Sequence, residues 1–445
     1  MPVMKATQTD PVCRRALLLD GAGDGDATGP RVRAAVSAAL EAAGWEPDAV
    51  TLREQRIGAC AGDFGCWVRH PGTCMTADDN RTIAAAMVRS DLVVYLGPVT
   101  FGGWSPASKR MIDHQIQNIA PGFTRSDGET HHQKRYAHYP DLLAVGWQDA
   151  PDPAAASVFM NLAARNAINF HAAASAAGII DASATDDAIR VAVDGLVRSL
   201  ARREQIRAVK LPPFEPVSGP APKRALLLVG SPRTRTSTSN ALGAHLLGRL
   251  AVRGIETGTV HLHPIARSAP RIKALLDAVD AADLVVLAFP LYVDSLPAPV
   301  VDVLTAIAAH RAGSPATPRQ RFAAIANCGF PEATQNATAL AICATFARQA
   351  GFGWAGDLAL GGGEGLVHGV ELARLGGRAR HVVAALDLAG DALSAGDPIP
   401  EAARDLLARP AIPGWLYRGV GGLGWRLQAR RFGMASSLGR RPYAP

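Results

Sequence analysis

The densest chemistry in this 445-residue chain is the stretch Gly230–Asn240, GSPRTRTSTSN. Ser231, Thr234, Thr236, Ser237, Thr238 and Ser239 bring hydroxyls. Arg233 and Arg235 bring positive charge, and Pro232 restricts the turn. The stretch follows an unbroken apolar run, Arg224–Val229, and leads into Thr238–Arg253, whose apolar residues recur with the period of a helix. A helix N-terminus presents free N–H groups and partial positive charge, which suits a phosphate. A capped helix start needs one hydroxyl, so six hydroxyls and two arginines exceed that role. The stretch has neither GxGxxG nor GKS/GKT, so it is not a Rossmann dinucleotide fingerprint or a P-loop.

Three other stretches carry side chains or turns suited to a ligand. Phe289–Pro299, FPLYVDSLPAP, and Asn327–Asn336, NCGFPEATQN, each follow an apolar run; aromatic, proline and amide groups there can cover a flat ring and reach its polar edge. Cys60–Asp79, CAGDFGCWVRHPGTCMTADD, holds three of the six cysteines. Near the start of the chain, Asp20–Pro30, DGAGDGDATGP, occupies the place of the hydroxyl-rich loop but carries Asp20, Asp24 and Asp26 and no basic residue. Three carboxylates repel a phosphate where the later loop attracts it.

The elements that position these loops read as alternating strands and helices. In the second half, strands are expected at Arg224–Val229, Thr257–Leu262, Asp283–Ala288, Arg321–Asn327 and near Trp354–Leu360, with helices over 238–253, 298–310 and 332–350. The first half repeats the grammar: Arg15–Asp20 (RALLLD) matches Arg224–Val229, and Asp91–Gly97 (DLVVYLG) matches Asp283–Ala288, with a helix over Arg31–Ala43 and a fourth strand at Leu142–Gly146. Continuous apolar strands alternating with helices imply parallel sheets covered on both faces. Between the halves, 210–223 (KLPPFEPVSGPAPK) has five prolines and reads as a semi-rigid linker. The expected organisation is an α/β domain over 12–209, the linker, a second α/β domain over 224–408 and a basic tail over 409–445, products of a tandem duplication.

The ordered set GSPR…STSNALG, FPLYVDSLPAPV and NCGFPEATQN resembles the NADPH-dependent FMN reductase-like branch of the flavodoxin superfamily, over essentially the whole second domain. The resemblance implies two tandem flavodoxin-like doubly wound domains. It implies that Ser231, Arg233, Ser237, Thr238 and Ser239 bind the FMN phosphate. It further implies that Pro290, Leu291, Tyr292 and Val293, with Asn327, Cys328 and Gly329, flank the isoalloxazine ring. The implied activity passes a hydride from NAD(P)H through FMN to a small acceptor: a quinone, a nitro or azo compound, or free flavin. The cofactor carries such chemistry, so no catalytic side chain is assigned. The alternative is a flavodoxin-like electron carrier or flavin-binding module serving a partner protein; the neutral body disfavours it, since carriers usually dock through acidic surfaces.

In the first domain, Gly97–Asp113 (GPVTFGGWSPASKRMID) resembles the same superfamily's ring loop and following helix, and Cys60–Asp79 resembles the cysteine-bearing insertion of iron–sulfur flavoproteins. Where those relatives have a fourth cysteine, Asp63 stands. Clusters are normally held by four thiolates, so the expectation is no metal, with Asp63 or His70 the only substitutes. Related reductases commonly dimerise with FMN near the interface; a fused pair can build this internally, with the first domain a degenerate partner, or through a homodimer.

The formal charge of +7 sits entirely in the tail, where Arg409, Arg418, Arg426, Arg430, Arg431, Arg440 and Arg441 meet no Asp or Glu. A neutral body argues against a nucleic-acid face. No charge-free run of about 20 apolar residues predicts a membrane span, and the first apolar run, Ala16–Leu19, is too short for a signal segment, so a cytoplasmic location is expected. The tail, in which Trp415, Tyr417, Trp425, Phe432 and Met434 mix with the arginines, reads in three ways: an amphipathic segment on a membrane surface, a lid over the flavin that attracts the phosphates of NADPH, or a segment docked on the body with its arginines paired to carboxylates; docking is the expectation. Gly419, Gly421, Gly422 and Gly424 speak against one long helix.

Overall fold

A computed structural model describes residues 14–126, 128–266, 268–312 and 320–444; Cys13 and the expected start of the first domain at residue 12 lie outside them. The first unit runs β1 (Arg14–Asp20), α1 (Thr28–Ala42), β2 (Trp45–Thr51), α2 (Gly65–Val68), α3 (Asn80–Arg89), β3 (Leu92–Pro98), α4 (Pro106–Asp113), β4 (Ile119–Ser126), β5 (Glu129–Lys134), β6 (Asp141–Gln148), α5 (Pro153–Asn169), β7 (Ser175–Asp181) and α6 (Asp186–Ala201). The second runs β8 (Arg224–Val229), α7 (Thr238–Val252), β9 (Glu256–His261), α8 (Ala269–Asp280), β10 (Leu284–Pro290), α9 (Ala298–Ala312), β11 (Arg321–Asn327), α10 (Ala337–Gln349), β12 (Gly353–Leu360), α11 (Gly363–Leu366), α12 (Arg380–Ala395), α13 (Glu401–Ala408) and α14 (Gly414–Arg430). Residues 204–222 carry no helix or strand.

Each unit holds a five-stranded parallel sheet. The spatial orders are β2-β1-β3-β6-β7 and β9-β8-β10-β11-β12. Leaving out the separate β4–β5 hairpin and counting only the strands of each five-stranded sheet, both read 2-1-3-4-5, the flavodoxin-like order, whose ligand crevice opens at the carboxyl ends of the strands beside the first. The fold is therefore two tandem flavodoxin-like α/β units.

The sheets are buried on both faces because successive strand residues point to opposite sides. Leu226 and Leu228 face the other unit, while Ala225, Leu227 and Val229 meet α7, α12 and α13. Leu17 and Leu19 join the same inner core as Leu226 and Leu228, so one apolar core runs from sheet to sheet. Between the sheets, equivalent helices pack on one another, α4 on α9 and α5 on α10. The loops before α4 and α9 carry the same small turn, bridged at Thr100–Gly103 and Tyr292–Ser295. The interface is thus pseudo-symmetric.

Sequence reading missed several elements. β2 is a half-exposed edge strand, WEPDAVT, whose Glu, Pro and Asp hide its period. Helix 332–350 divides into a tight turn over Ala333–Asn336 and α10. The expectation against a long tail helix is wrong: α14 is a 17-residue helix. Its glycines are tolerated because its inner face packs on the body, and at Gly421 a Cβ would come within 2.6 Å of the Phe123 ring.

Candidate functional site

The two first loops differ as their charges suggested, and the structure shows how. In the first unit the Asp26 carboxylate folds back on the helix start and accepts from the N–H groups of Thr28 (2.9 Å) and Gly29 (3.0 Å). It occupies the place at α1 where a phosphate would bind. Asp20 is buried, accepts from the Ala22 N–H and pairs with Arg33 at 3.1 Å. In the second unit no carboxylate caps α7. Ser237 Oγ accepts from the Asn240 N–H at 3.1 Å, and the first two helical residues, Thr238 and Ser239, stand where the amides held by Asp26 stand in α1. Ser231, Ser237, Thr238 and Ser239 are all buried at this point.

The structure gives Arg233 a partner that sequence reading did not foresee. Both terminal guanidinium nitrogens, Nη1 and Nη2, donate to Glu364 at the start of α11, the first at 2.8 Å. Burial opposes ionisation of Glu364, but Arg233, helped by His368, outweighs it and holds the carboxyl below its ordinary range. Arg233 therefore stands in the Gly230–Asn240 loop already neutralised, whereas Arg235 is exposed and forms no ion pair among the described residues. Ser239 is also engaged: Asn327 Nδ2 donates to its Oγ (2.9 Å) and to the Phe289 carbonyl (2.9 Å). Asn327 thus ties together the loops after β8, β10 and β11.

The Pro290–Val293 loop is gripped by the first unit. Leu291 N–H donates to the Asn327 carbonyl at 2.8 Å. Val293 and Asp294 take the left-handed backbone conformation, which turns the Asp294 carboxylate inward. There it accepts from Arg165 (3.1 Å), Asn166 (3.0 Å) and Asn169 (2.6 Å), all on α5. A second buried grip comes from α4: Lys109 pairs with Asp113, Lys109 Nζ also donates to the Tyr292 carbonyl at 2.8 Å, and Asp113 accepts from the Ala298 N–H at 2.8 Å. Lys109 and Asp113 lie one turn apart on α4 and brace the Pro290–Val293 loop and the start of α9 in the other unit. The Asp294–Arg165 and Arg233–Glu364 pairings left no local signal, because each spans more than a hundred positions.

The cysteine-bearing insertion forms a wall of the same region. At Gly62 a Cβ would meet the Tyr292 hydroxyl at 1.8 Å and Pro232 at 3.4 Å, so glycine is required there. Asp63 accepts from the Gly65 N–H at the start of α2 at 2.9 Å. His70 is exposed. Among the described residues no group of three or more His, Cys, Asp or Glu side chains is arranged to hold an ion. Cys74 instead lies 3.5 Å from His114 Nδ1, while His114 Nε2 meets the Gly58 carbonyl at 2.9 Å. Burial raises the Cys74 thiol, but the His114 contact overcomes it and the net shift is downward. Cys328 is buried among the Phe330 and Glu332 carbonyls, and burial pushes its thiol up to about 11.

The tail closes the remaining side. It docks as expected, but not by arginine–carboxylate pairs; among the described residues none of its seven arginines forms one. Tyr417 Oη donates to the Gly329 carbonyl at 2.8 Å. Trp425 packs edge-on against Phe64 and Trp67 with ring centroids 5.0 Å apart. Arg135 donates to the Leu438 and Arg440 carbonyls at 3.0 and 2.8 Å. Beneath α14, His132 of the β4–β5 hairpin lies among Trp67, Phe123 and Phe330.

The residues fit FMN at the phosphate end, where buried hydroxyls and carboxylate-free helix amides converge. At the ring end, Pro290–Val293 and Asn327–Gly329 follow adjacent strands, with Pro290 and Asn327 in register; Gly62 of the insertion lies against Tyr292, and Tyr417 against Gly329.

No helix among the described residues is long and apolar enough to cross a membrane. No protein-family model and no curated protein matches the chain. Solved structures similar to parts of it include an FMN-dependent NADH-azoreductase from Bacillus anthracis in complex with FMN, at 12% identity over 39% of this chain and 99% of that one, TM-score 0.30. An NAD(P)H:quinone oxidoreductase from Methanothermobacter marburgensis aligns at 15% identity over 35% and 92%, TM-score 0.29. An NADH:FMN oxidoreductase in its apo form aligns at 18% identity over 43% and 96%, TM-score 0.29. At these scores the likeness carries no weight for activity, and the fold assignment stands on the strand order of the two sheets.

Proposed function

We propose that the chain is an FMN-dependent NAD(P)H oxidoreductase whose single flavin site lies at the carboxyl ends of β8, β10 and β11. The observation that carries this reading is the contrast between the two helix N-termini. Asp26 fills the first with the chain's own carboxylate, whereas the second keeps its amides beside four buried hydroxyls, with Arg235 exposed and Arg233 paired to Glu364. A dianionic phosphate is repelled by the first and stabilised by the second.

In this reading Ser231, Ser237, Thr238 and Ser239 hold the phosphate, Arg235 screens it, and Arg233 joins once released in part from Glu364. Pro290–Val293 and Asn327–Gly329 flank the ring. When bound, FMN supplies two-electron transfer between a nicotinamide and a small acceptor such as a quinone, a nitro or azo compound, or free flavin. The first unit acts as a degenerate partner of an internal pseudo-dimer: Lys109, Asp113 and Arg165 fix the ring loop, and the insertion and tail limit water. The test is steady-state NAD(P)H oxidation with a quinone acceptor, with and without FMN. Turnover that requires FMN supports the reading; flavin binding without turnover favours the carrier alternative.

A further inference from the structure

Helix α14 has two apolar faces, and the fold uses only one. Tyr417, Gly421, Trp425 and Ala429 recur every four residues and face the body, on Gly329, Phe123, and the Phe64–Trp67 pair. At 3.6 residues per turn, Leu416, Val420, Leu423 and Leu427 form a second stripe on the opposite side. All four are exposed, from 37% to 59%, and Trp415 at one end is 70% exposed. Arg426, Arg430 and Arg431 flank this stripe, are exposed, and form no ion pair among the described residues.

We infer that this outer face is an interfacial docking surface for an anionic phospholipid bilayer, with α14 lying in the plane of the headgroups. An apolar stripe bordered by arginine, with an aromatic at its end, matches what a lipid interface offers: acyl chains below and phosphates at the rim. Charge complementarity selects this occupant over a second copy, since two such faces would bring arginines together with no Asp or Glu anywhere in 409–445 to offset them. It is also favoured over an acidic protein groove. Between Trp415 and Leu427 there is no Ser, Thr, Asn, Gln, Asp or Glu, so apart from the Trp415 indole N–H at its end the face offers hydrocarbon and cations and no side-chain acceptor to read a partner's hydrogen bonds. The contact is peripheral, and the inference is independent of the flavin reading.

Vesicle co-sedimentation tests it, using the full chain with phosphatidylcholine alone and with mixed phosphatidylcholine–phosphatidylglycerol vesicles. The expected result is binding to the mixed vesicles only, weakened by salt. Leu423→Glu with Leu427→Glu replaces solvent-facing side chains, so the melting temperature should hold while vesicle partitioning falls more than about tenfold. Arg426→Gln with Arg430→Gln should reduce it about tenfold or more. The proposal is overturned if wild type ignores the mixed vesicles. It is equally overturned if the leucine variants bind them undiminished, or if light scattering shows a dimer that those variants dissolve while vesicles are not bound.

Discussion

The Arg233–Glu364 pair offers a test in which two substitutions break one ion pair yet should move flavin affinity in opposite directions. The pair is roughly one-third exposed on each side, 33% and 28%. Its worth in the free protein is therefore about 0.5–1 kcal/mol, the range of partly screened surface pairs. A charge-assisted hydrogen bond from Arg233 to a phosphate is worth about 1.5–3 kcal/mol. Arg233→Gln should accordingly weaken FMN binding about tenfold to a hundredfold. Glu364→Gln frees the guanidinium from its competitor and should tighten FMN about two- to fivefold. Both variants lose the same pair, so both should show a similar small loss of thermal stability. Flavin fluorescence titration reads the two affinities, and calorimetry reads the stabilities. If both substitutions weaken FMN alike, the pair is only structural; if Arg233→Gln leaves affinity unchanged, the phosphate is not held by this loop.

Other consequences follow from the same geometry. Asp26→Ala removes the α1 cap and should cost about 1 kcal/mol of stability in urea unfolding, with FMN affinity unchanged; weakened FMN binding would place the phosphate in the first unit. Asp294→Ala leaves Asn166 and Asn169 facing an unfilled buried acceptor site, while Arg165 keeps Glu129 and Gln335, and should destabilise by about 1–3 kcal/mol, with Asp294→Asn recovering part of it; a change under about 0.5 kcal/mol would show that the grip of α5 on the Pro290–Val293 loop is not important. Burial holds the His132 imidazole down to about 4, so in the folded state it stays neutral while the unfolded chain takes up a proton near pH 6.5. Its contribution is therefore full above about pH 6.5 and is lost as pH falls towards 4, by about 3 kcal/mol. Neighbouring His131 is shifted upward and acts in the opposite sense, so the comparison to make is urea unfolding at pH 7 and pH 5 in wild type and His132→Leu; an acid loss of the same size in the variant would exclude His132 as its source.

Much of the framework was legible because central parallel strands, covered on both sides, are written as unbroken apolar runs. Arg224–Val229 and Arg321–Asn327 stand in the structure as read. Edge strands and helices with one modest apolar stripe were harder: β2 hides behind Glu46, Pro47 and Asp48, and α8 buries only Leu275 and Val279. The candidate site was legible where one loop carries the chemistry, as in the opposed charges of Asp20–Pro30 and Gly230–Asn240. It was not legible where the partner comes from elsewhere in the chain. Glu364 meets Arg233 across 131 positions, and Asp294 meets Arg165 across 129; no local periodicity encodes such a pairing. The tail helix shows a third kind of failure. Glycines cost helix propensity in isolation, but Gly421 lies against Phe123, where close packing excludes a Cβ.

The central claim is that one of the two pseudo-symmetric units binds flavin and the other does not, and an absorbance spectrum tests it most directly. The full chain is incubated with excess FMN, passed through gel filtration, and its flavin bands are compared with its protein absorbance. One FMN per chain in wild type, with retention lost in Arg233→Glu and kept in Asp26→Asn, is the predicted result. Two equivalents per chain, none, or loss of flavin on changing Asp26 rather than Arg233 would contradict the account.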